Sequence, residues 1–302
     1  MAINNRCRKG ILLAGGAGTR LFPLSRLVNK HLLPVYDKPM IYYPLSTLML
    51  SGIRDILLIS DANTIVAFEK LLGDGKQLGI RITYGAQPFP KGIADALIIG
   101  ESFVAGDPFA LMLGDNIFYG HALPEMLSRV MTNFKGGATI FTYQVADPSR
   151  YGVVVLDDNG RPTELLEKPT TYVSEYAVTG LYVFEGPAVE VAKSLIPSKR
   201  DELEITDVNR HYLESGALSV EHFGRGYTWF DAGTVESLFQ AASYIGILQS
   251  RQSVGVSFVE EVAYRMGLIS EQQLVDLIGA MPCGPYRTYL ETIDVSETVN
   301  QS

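Results

Sequence analysis

The sequence predicts an α/β protein built on a mainly parallel central sheet, on three observations. Short apolar runs of strand length alternate with amphipathic segments through the first half of the chain. The first of these runs stops at a glycine-rich loop, "LLAGGAGTR" (12–20). The alternation changes character near residue 150, and from about residue 235 the chain reads as mostly helical.

The elements follow in order. "KGILLA" (9–14) reads as a buried strand ending at glycines, and "MIYYPLSTLMLSG" (40–52) as a helix. "DILLIS" (55–60) is a strand, "IVAFEKLLGDG" (65–75) a helix closed by glycine, and "IRITYG" (80–85) a strand. "IADALIIGESF" (93–103) is a helix, "FALMLGDN" (109–116) a strand, "ALPEMLSRVMTNF" (122–134) a helix and "GATIFTYQV" (137–145) a strand. This spacing implies right-handed βαβ units. "YGVVVLDDNGRPTELLEKP" (151–169) reads as two strands around an Asp-Asn-Gly turn. "AVTGLYVFEG" (177–186) is a further strand, and "TDVNRHYLESG" (206–216) a helix with a Thr or Asp cap. "VESLFQAASYIGILQSRQ" and the serine-capped "SEQQLVDLIGAM" are helices, and the last dozen residues read as a loose tail. The expected division is a core over 1–240 and a helical segment over 241–302.

Of 302 residues, 47% are hydrophobic, enough for a sizeable core, and the formal charge is −8. An acidic chain does not bind nucleic acid through its general field. The basic "RCRKG" (6–10) is too short for a nucleic-acid arm and reads as a solvated terminus. Cys7 and Cys283 lie far apart without zinc spacing and read as free thiols. His31, His121, His211 and His222 show no metal spacing, and no G-x-S-x-G elbow is present. No signal-peptide pattern or membrane-length apolar run occurs, so a cytoplasmic protein is expected, without membrane contact.

Ligands of open α/β sheets gather at the carboxyl ends of strands. Two segments are expected to open there. "GGAGTR" lacks the GK[ST] of a Walker loop and the third glycine of a dinucleotide fingerprint. With Thr19, Arg20 and Lys30 it fits phosphate binding: bare glycines let backbone N–H groups approach and fixed cations offset charge. The other reading is a tight strand-to-helix turn with surface cations. "LMLGDN" sets Asp115 beyond a buried strand, where a metal for phosphate chemistry sits; an Asx turn explains it equally well. "WFDAGT" offers a second carboxylate, Asp231, and nothing in the spacing shows that the two meet. "LLEKP" gives Glu167 and Lys168, a phosphate clamp or a charged hairpin end.

Taken together, "GILLAGGAGTRLFPLSRLVNKHLLPVYDKPMIYYPLSTLMLSGI", "LGDN", "YGVV", "LLEKP", "YAVTGLY", "ELEITDVN" and "GRGYTWFDAGT" stand in the order seen in bacterial glucose-1-phosphate thymidylyltransferases, and the chain resembles that family from about residue 8 to about residue 290. The long first block is highly specific; the short motifs are shared across sugar nucleotidyltransferases. The resemblance implies a Rossmann-like nucleotidyltransferase core with a sugar-binding subdomain and C-terminal helices. It implies the reaction of dTTP with α-D-glucose 1-phosphate to dTDP-glucose and pyrophosphate, with Mg²⁺, feeding dTDP-L-rhamnose and related deoxysugars. It further implies a homotetramer inhibited by dTDP-rhamnose at a second site.

Carried over residue by residue, the resemblance assigns the nucleotide to Gly15, Gly16, Gly18, Thr19, Gln87 and Gly92, with Gln87 and Gly92 reading the pyrimidine. Arg20, Lys30 and Lys168 become the catalytic cations, and Asp115 and Asp231 the metal ligands. Asn116, Gly152, Glu167, Lys168, Val178 and Thr179 face the sugar phosphate. Gly120, His121, Glu261 and Arg265 line the regulatory site. The chain departs from the family pattern at three places. It has His31 where Gln is usual, Asp95 in "GIADA" where the family reads "GLAQA", and Ala232 in "DAGT" where the family reads "DTGT". Asp95 would weaken nucleotide binding unless it faces solvent or a metal. UTP in place of dTTP is the close alternative. A silent nucleotide-sugar sensor is disfavoured, since Arg20, Asp115, Lys168 and Asp231 are all present, and a nucleotide-cofactor dehydrogenase is weaker still.

Overall fold

In the computed structural model, residues 7–16, 18–252 and 254–293 are described. The predicted tail lies largely outside these residues. The elements run β1 (Lys9–Leu13), β2 (Pro34–Val35), β3 (Lys38–Pro39), α1 (Tyr42–Leu50), β4 (Asp55–Ser60), α2 (Ala62–Leu72), β5 (Arg81–Ala86), α3 (Asp95–Ile99), α4 (Glu101–Val104), β6 (Phe109–Leu113), β7 (Asn116–Gly120) and α5 (Leu123–Asn133). They continue β8 (Ala138–Gln144), β9 (Gly152–Leu156), β10 (Pro162–Glu167), β11 (Tyr176–Phe184), α6 (Ala188–Ser194), α7 (Ile205–Glu214), β12 (Leu218–Phe223), β13 (Tyr227–Asp231), α8 (Val235–Gln252), α9 (Val259–Arg265), α10 (Glu271–Ala280) and α11 (Pro285–Leu290).

Nine strands form one sheet along the path β10-β9-β11-β6-β1-β4-β5, with β8 and β12 joined beside β11. The predicted parallel block is β6-β1-β4-β5. Its strands are apolar on both faces because helices cover both. Leu12, Leu58 and Met112 pack with residues of α1, α2, α5 and α9. Their neighbours Ile11, Leu13, Leu57, Ile59 and Leu111 pack with α3, α6 and α7 on the opposite side. The period of two along each strand thus builds two cores. β11 runs antiparallel to β6, β8 and β9, which gives the second half of the sheet its different character.

The chain lays β4 and then β5 to one side of β1 and later places β6 on the other. Strand order therefore reverses between β1 and β6, the switch point at which open α/β sheets bind ligands. The glycine loop leaves β1 there and Gly114-Asp115 leaves β6 there.

Several expected elements change in detail. The segment 109–116 is two strands, because the chain turns at Gly114 and Asp115 and β7 pairs antiparallel with β13 instead. The helix over 93–103 is split at Gly100, where a Cβ would meet Ile11 Cδ1 at 2.6 Å. The helix from 65 starts earlier, at Ala62, capped by Asp61, whose carboxylate accepts from Asn63 and Thr64 N–H. α7 is entered from Glu204 with no side-chain cap, since Thr206 is already helical and its hydroxyl is used elsewhere. Cys7, expected at a solvated terminus, is 2% exposed and its N–H donates to Met131 O, while Lys9 pairs with Asp107. Its buried thiol is pushed up to about 12. Both cysteines are free.

The C-terminal helices dock on the core. Lys38 is buried, donates to Val256 O and Asp37, and lies 4.0 Å from the Phe258 ring centroid. Gly79, at φ +67°, sits against the chain after α9: a Cβ there would lie 2.2 Å from Leu268 O. Gly79→Ala combines a left-handed Cβ penalty with overpacking, a cost of about 2–4 kcal/mol. A thermal melt is expected to fall by on the order of 5 °C or more; an unchanged melt would show that the segment yields freely. Among the described residues no helix is long and apolar enough to cross a membrane.

Candidate active site

A cleft of about 330 Å³ opens at the switch point, within the size range of small-molecule sites. On one side it is lined by Gly15 and Gly16 of the loop after β1. Gly16 has φ +99° and Gly18 φ +59°, conformations that suit glycine. Ser25 Oγ donates to Gly18 O at 2.7 Å and fixes the far end of the loop. Thr19 opens a single 3₁₀ turn whose Leu21 is buried in a third core with Ala232 and α8, which anchors Arg20 at the cleft. Gly18 and Thr19 shape this loop, and Ala17 lies outside the described residues.

Asp115 and Asp231 do meet. β7 and β13 pair with Asn116 opposite Asp231, and Ala232 N–H donates to Asp115 O at 2.9 Å. A Cβ built on Gly233 would lie 2.8 Å from Asp231 Oδ1, 2.8 Å from Arg20 Nη2 and 3.4 Å from Asp115 Oδ2. Two carboxylates and a guanidinium thus converge on a space that only glycine leaves open.

Their environments push the two carboxyls apart. Burial raises Asp115, but the Lys30 charge, a 2.5 Å hydrogen bond from Lys30 Nζ and one from Asn116 outweigh it, holding the carboxyl well below the usual range. Asp231 is raised, by burial and then by the Asp115 charge, against the opposing pull of Arg20 and Lys30. A second acid beside a fixed carboxylate is an arrangement a cation relieves.

The support is built from backbone-tied amides. Asn29 Nδ2 donates to Ala14 O, and its Oδ1 accepts from His31 N–H and, at 2.8 Å, from the His31 ring. This staples Lys30 against β1. His31, one of the departures, is 1% exposed behind Lys30, and burial holds it neutral, its pKa lowered to about 3. Asn116 is equally committed. Its Oδ1 accepts from Trp229 Nε1 at 2.6 Å and Gly180 N–H at 2.9 Å, and its Nδ2 donates to Asp115 Oδ1. Asn116 thus aims Asp115 while itself lining the cleft.

The cleft is also lined by Gly152, Glu167, Lys168, Val178 and Thr179, the residues the resemblance assigns to the sugar phosphate. Lys168 has φ 43°, an unusual backbone for a side-chain-bearing residue, held by its N–H donating to Tyr151 O. Glu167 accepts from Thr206 Oγ1 at 2.6 Å and Arg200 Nη2 at 3.0 Å. The Thr179 hydroxyl donates to Phe141 O. Three lining residues carry no sequence signal. Arg200, in a loop and bonded to both Glu167 and Glu204, and Arg150, at the end of the 3₁₀ turn Pro148–Arg150 with Nη2 3.9 Å from Asp231, are single arginines. Thr206 was read as a helix cap.

Gln87 and Gly92 close the remaining wall. Gly92, at φ +99°, packs so tightly that a Cβ would lie 2.4 Å from Leu203 O. Gln87 Nε2 donates to Asp95 Oδ2 at 2.8 Å. Asp95, expected to intrude on the nucleotide, is instead turned to this amide. The third departure, Ala232, is fully buried in the third core.

The four residues assigned to regulation stand apart from this cleft. Gly120 ends β7 beside Tyr227, followed by exposed His121. Glu261 and Arg265 share a salt bridge on α9, and Tyr289 OH donates to Glu261.

The profile of the family described as Nucleotidyl transferase matches residues 9–246. A glucose-1-phosphate thymidylyltransferase of Neisseria meningitidis is 52% identical over 93% of this chain and 98% of its own length. That of Mycobacterium tuberculosis is 50% identical over 93% of this chain and 97% of its own. Among solved structures, a Bacillus anthracis chain described as a glucose-1-phosphate thymidylyltransferase, in complex with sucrose, superposes with TM-score 0.72 at 41% identity, covering 78% of this chain and 94% of that one. A UDP-glucose pyrophosphorylase with UDP-glucose, at 24% identity and TM-score 0.71, covers 81% of this chain and 100% of its own and shares the fold.

Proposed function

The chain belongs to the nucleotidyl transferases and, within them, to the glucose-1-phosphate thymidylyltransferases, and on that footing we propose that the cleft transfers a thymidylyl group from dTTP to α-D-glucose 1-phosphate, releasing pyrophosphate and dTDP-glucose. The observation that carries the reading is the convergence of Arg20, Asp115 and Asp231 over Gly233, with Lys30 on Asp115. The obstacle is the repulsion of two polyanions, and this site gathers positive charge and cation-seeking oxygens at one point.

The residues present fit Mg²⁺. Two carboxylates, Asp115 buried and Asp231 half-buried, are hard donors and repel each other. Mg²⁺ in phosphate sites takes one or two carboxylates and completes its shell with phosphate oxygens and water. Among the described residues no group of three or more His, Cys, Asp or Glu is placed to hold a metal on its own, consistent with an ion shared with substrate. Asp115 and Asp231 would hold it, and when bound it would neutralise developing charge at the α-phosphate.

Every other role belongs to the chain. The backbone at Gly15, Gly16 and Gly18, with Thr19, approaches the nucleotide. Arg20 holds the oxygens that leave as pyrophosphate, and Lys30 keeps Asp115 ionised and aimed. Gln87 and the backbone of Gly92 read the pyrimidine. Lys168 positions the sugar phosphate, with Asn116, Gly152, Glu167, Val178 and Thr179 around it. That phosphate is ionised at neutral pH and is itself the nucleophile, so no protein nucleophile or general base is needed. Displacement is in line and single-step, and rate comes from positioning and charge. The full assignment includes a homotetramer, feedback by dTDP-rhamnose at Gly120, His121, Glu261 and Arg265, and supply of deoxysugar synthesis. It also includes a 1–240 catalytic core with a 241–302 helical segment.

Pyrophosphate release with glucose 1-phosphate and Mg²⁺ is to be compared across dTTP, UTP, CTP, ATP and GTP, with EDTA as control. Release is expected with dTTP best and lost with EDTA. A clear preference for a purine, or release indifferent to EDTA, overturns the base or the metal assignment respectively.

A further inference from the structure

Asp95 has no part in phosphate chemistry and is set back from the cleft, yet its carboxylate has a specific partner: Gln87 Nε2 donates to Asp95 Oδ2 at 2.8 Å. The other end of the same amide lies over the glycine loop, where a Cβ on Gly15 would meet Gln87 Oε1 at 2.7 Å. Gln87 is 6% exposed, and Asp95 is half-buried at the start of α3.

We propose that Asp95 locks the Gln87 amide in one of its two orientations and thereby makes the site select a keto pyrimidine against an amino pyrimidine. An ionised carboxylate only accepts, so it must face the NH₂ end of the amide and leaves Oε1 turned toward the nucleotide loop. Thymine or uracil presents a carbonyl and an N3–H. Against that edge an amide places Oε1 at N3–H and N–H at the carbonyl. Cytosine presents an amino group and a bare N3, and matches the same amide only after a half-turn. With Asp95 in place, the half-turn sets Oε1, on a side chain that is 6% exposed, against Oδ2, two acceptors with no proton between them. A neutral amide at position 95 imposes no such lock, because it counter-rotates and pairs with either orientation. Asp95 is thus a positioning residue: it acts on the base through Gln87.

The inference rests on Gln87 facing the base, as in the proposed function. Its test is kcat/KM for dTTP and dCTP in the wild type, Asp95→Asn and Asp95→Ala, and in Gln87→Ala with and without each Asp95 substitution. Asp95→Asn keeps size and packing. The dTTP-to-dCTP ratio is expected to fall by at least about ten-fold in Asp95→Asn, through recovery of dCTP more than loss of dTTP. In the Gln87→Ala background the same substitution is expected to leave the ratio unchanged. A ratio within two-fold of wild type in both folded Asp95 variants overturns the lock. An equal drop in the Gln87→Ala background overturns its action through Gln87. A wild type that releases no pyrophosphate from any pyrimidine triphosphate overturns the reading beneath and the inference with it; a selective wild type with an unmoved ratio overturns the inference alone.

Discussion

Asp115→Asn is expected to leave the fold intact and to reduce thymidylyl transfer by about a thousand-fold or more. The substitution keeps the shape of a side chain that is 7% exposed and aimed by Asn116. It removes the charge that pairs with Lys30 at 2.5 Å and that would share a cation with Asp231. The half-buried Lys30 loses its partner, so the melt falls as well, by an amount set by a broken, largely buried pair. Circular dichroism separates the two effects. A native spectrum with turnover lost supports the metal assignment. A native spectrum with turnover within ten-fold of wild type removes Asp115 from it.

Arg20→Ala is expected to lower kcat/KM for dTTP by about 10²–10³-fold, the cost of one well-placed donor to developing charge. Arg20 is exposed, so its removal leaves packing alone; Leu21 beside it carries the burial. Arg20→Lys is expected to recover only part of the loss, because an ammonium does not reproduce a two-pronged grip on phosphate. A loss below ten-fold for Arg20→Ala would place the leaving pyrophosphate elsewhere, with Arg150, 3.9 Å from Asp231, a further cation lining the cleft.

The half of the fold that positions the loop was legible because its signals are local. β1, β4 and β6 are unbroken apolar runs, and glycines mark where β1 ends. What was not legible depends on pairing over distance. β7 and β13 pair with each other apart from the main sheet, and neither alternates cleanly: the strand read over 109–116 takes in only Asn116 of "NIFYG", and "YTWFD" reads only as an apolar run before a carboxylate. Their register sets Asn116 opposite Asp231 and is the physical reason the two aspartates share a site. α6, seven residues or about two turns, is too short to show a helical period and falls in an unassigned stretch.

The site divides along the same line. The resemblance assigns residues to substrate, and fourteen of those residues line the cleft: Gly15, Gly16, Arg20, Lys30, Gln87, Gly92, Asp115, Asn116, Gly152, Glu167, Lys168, Val178, Thr179 and Asp231. The supports were invisible. Asn29 stapling Lys30, Trp229 and Gly180 holding Asn116, and Arg200 tying Glu167 to Glu204 are contacts between residues with no spacing in common. Asp95 shows the limit most clearly. As a letter in the sequence it is an extra negative charge near a triphosphate; in three dimensions it accepts a hydrogen bond from the Gln87 amide.

The central claim is direct transfer, with the sugar phosphate as the only nucleophile. It is tested by running the reaction with one diastereomer of dTTP carrying sulfur at the α-phosphorus and reading the configuration of the dTDP-glucose product by phosphorus NMR. Inversion at the α-phosphorus is the result a single in-line displacement predicts. Retention would require two displacements and a nucleotidylated side chain, and would contradict the account.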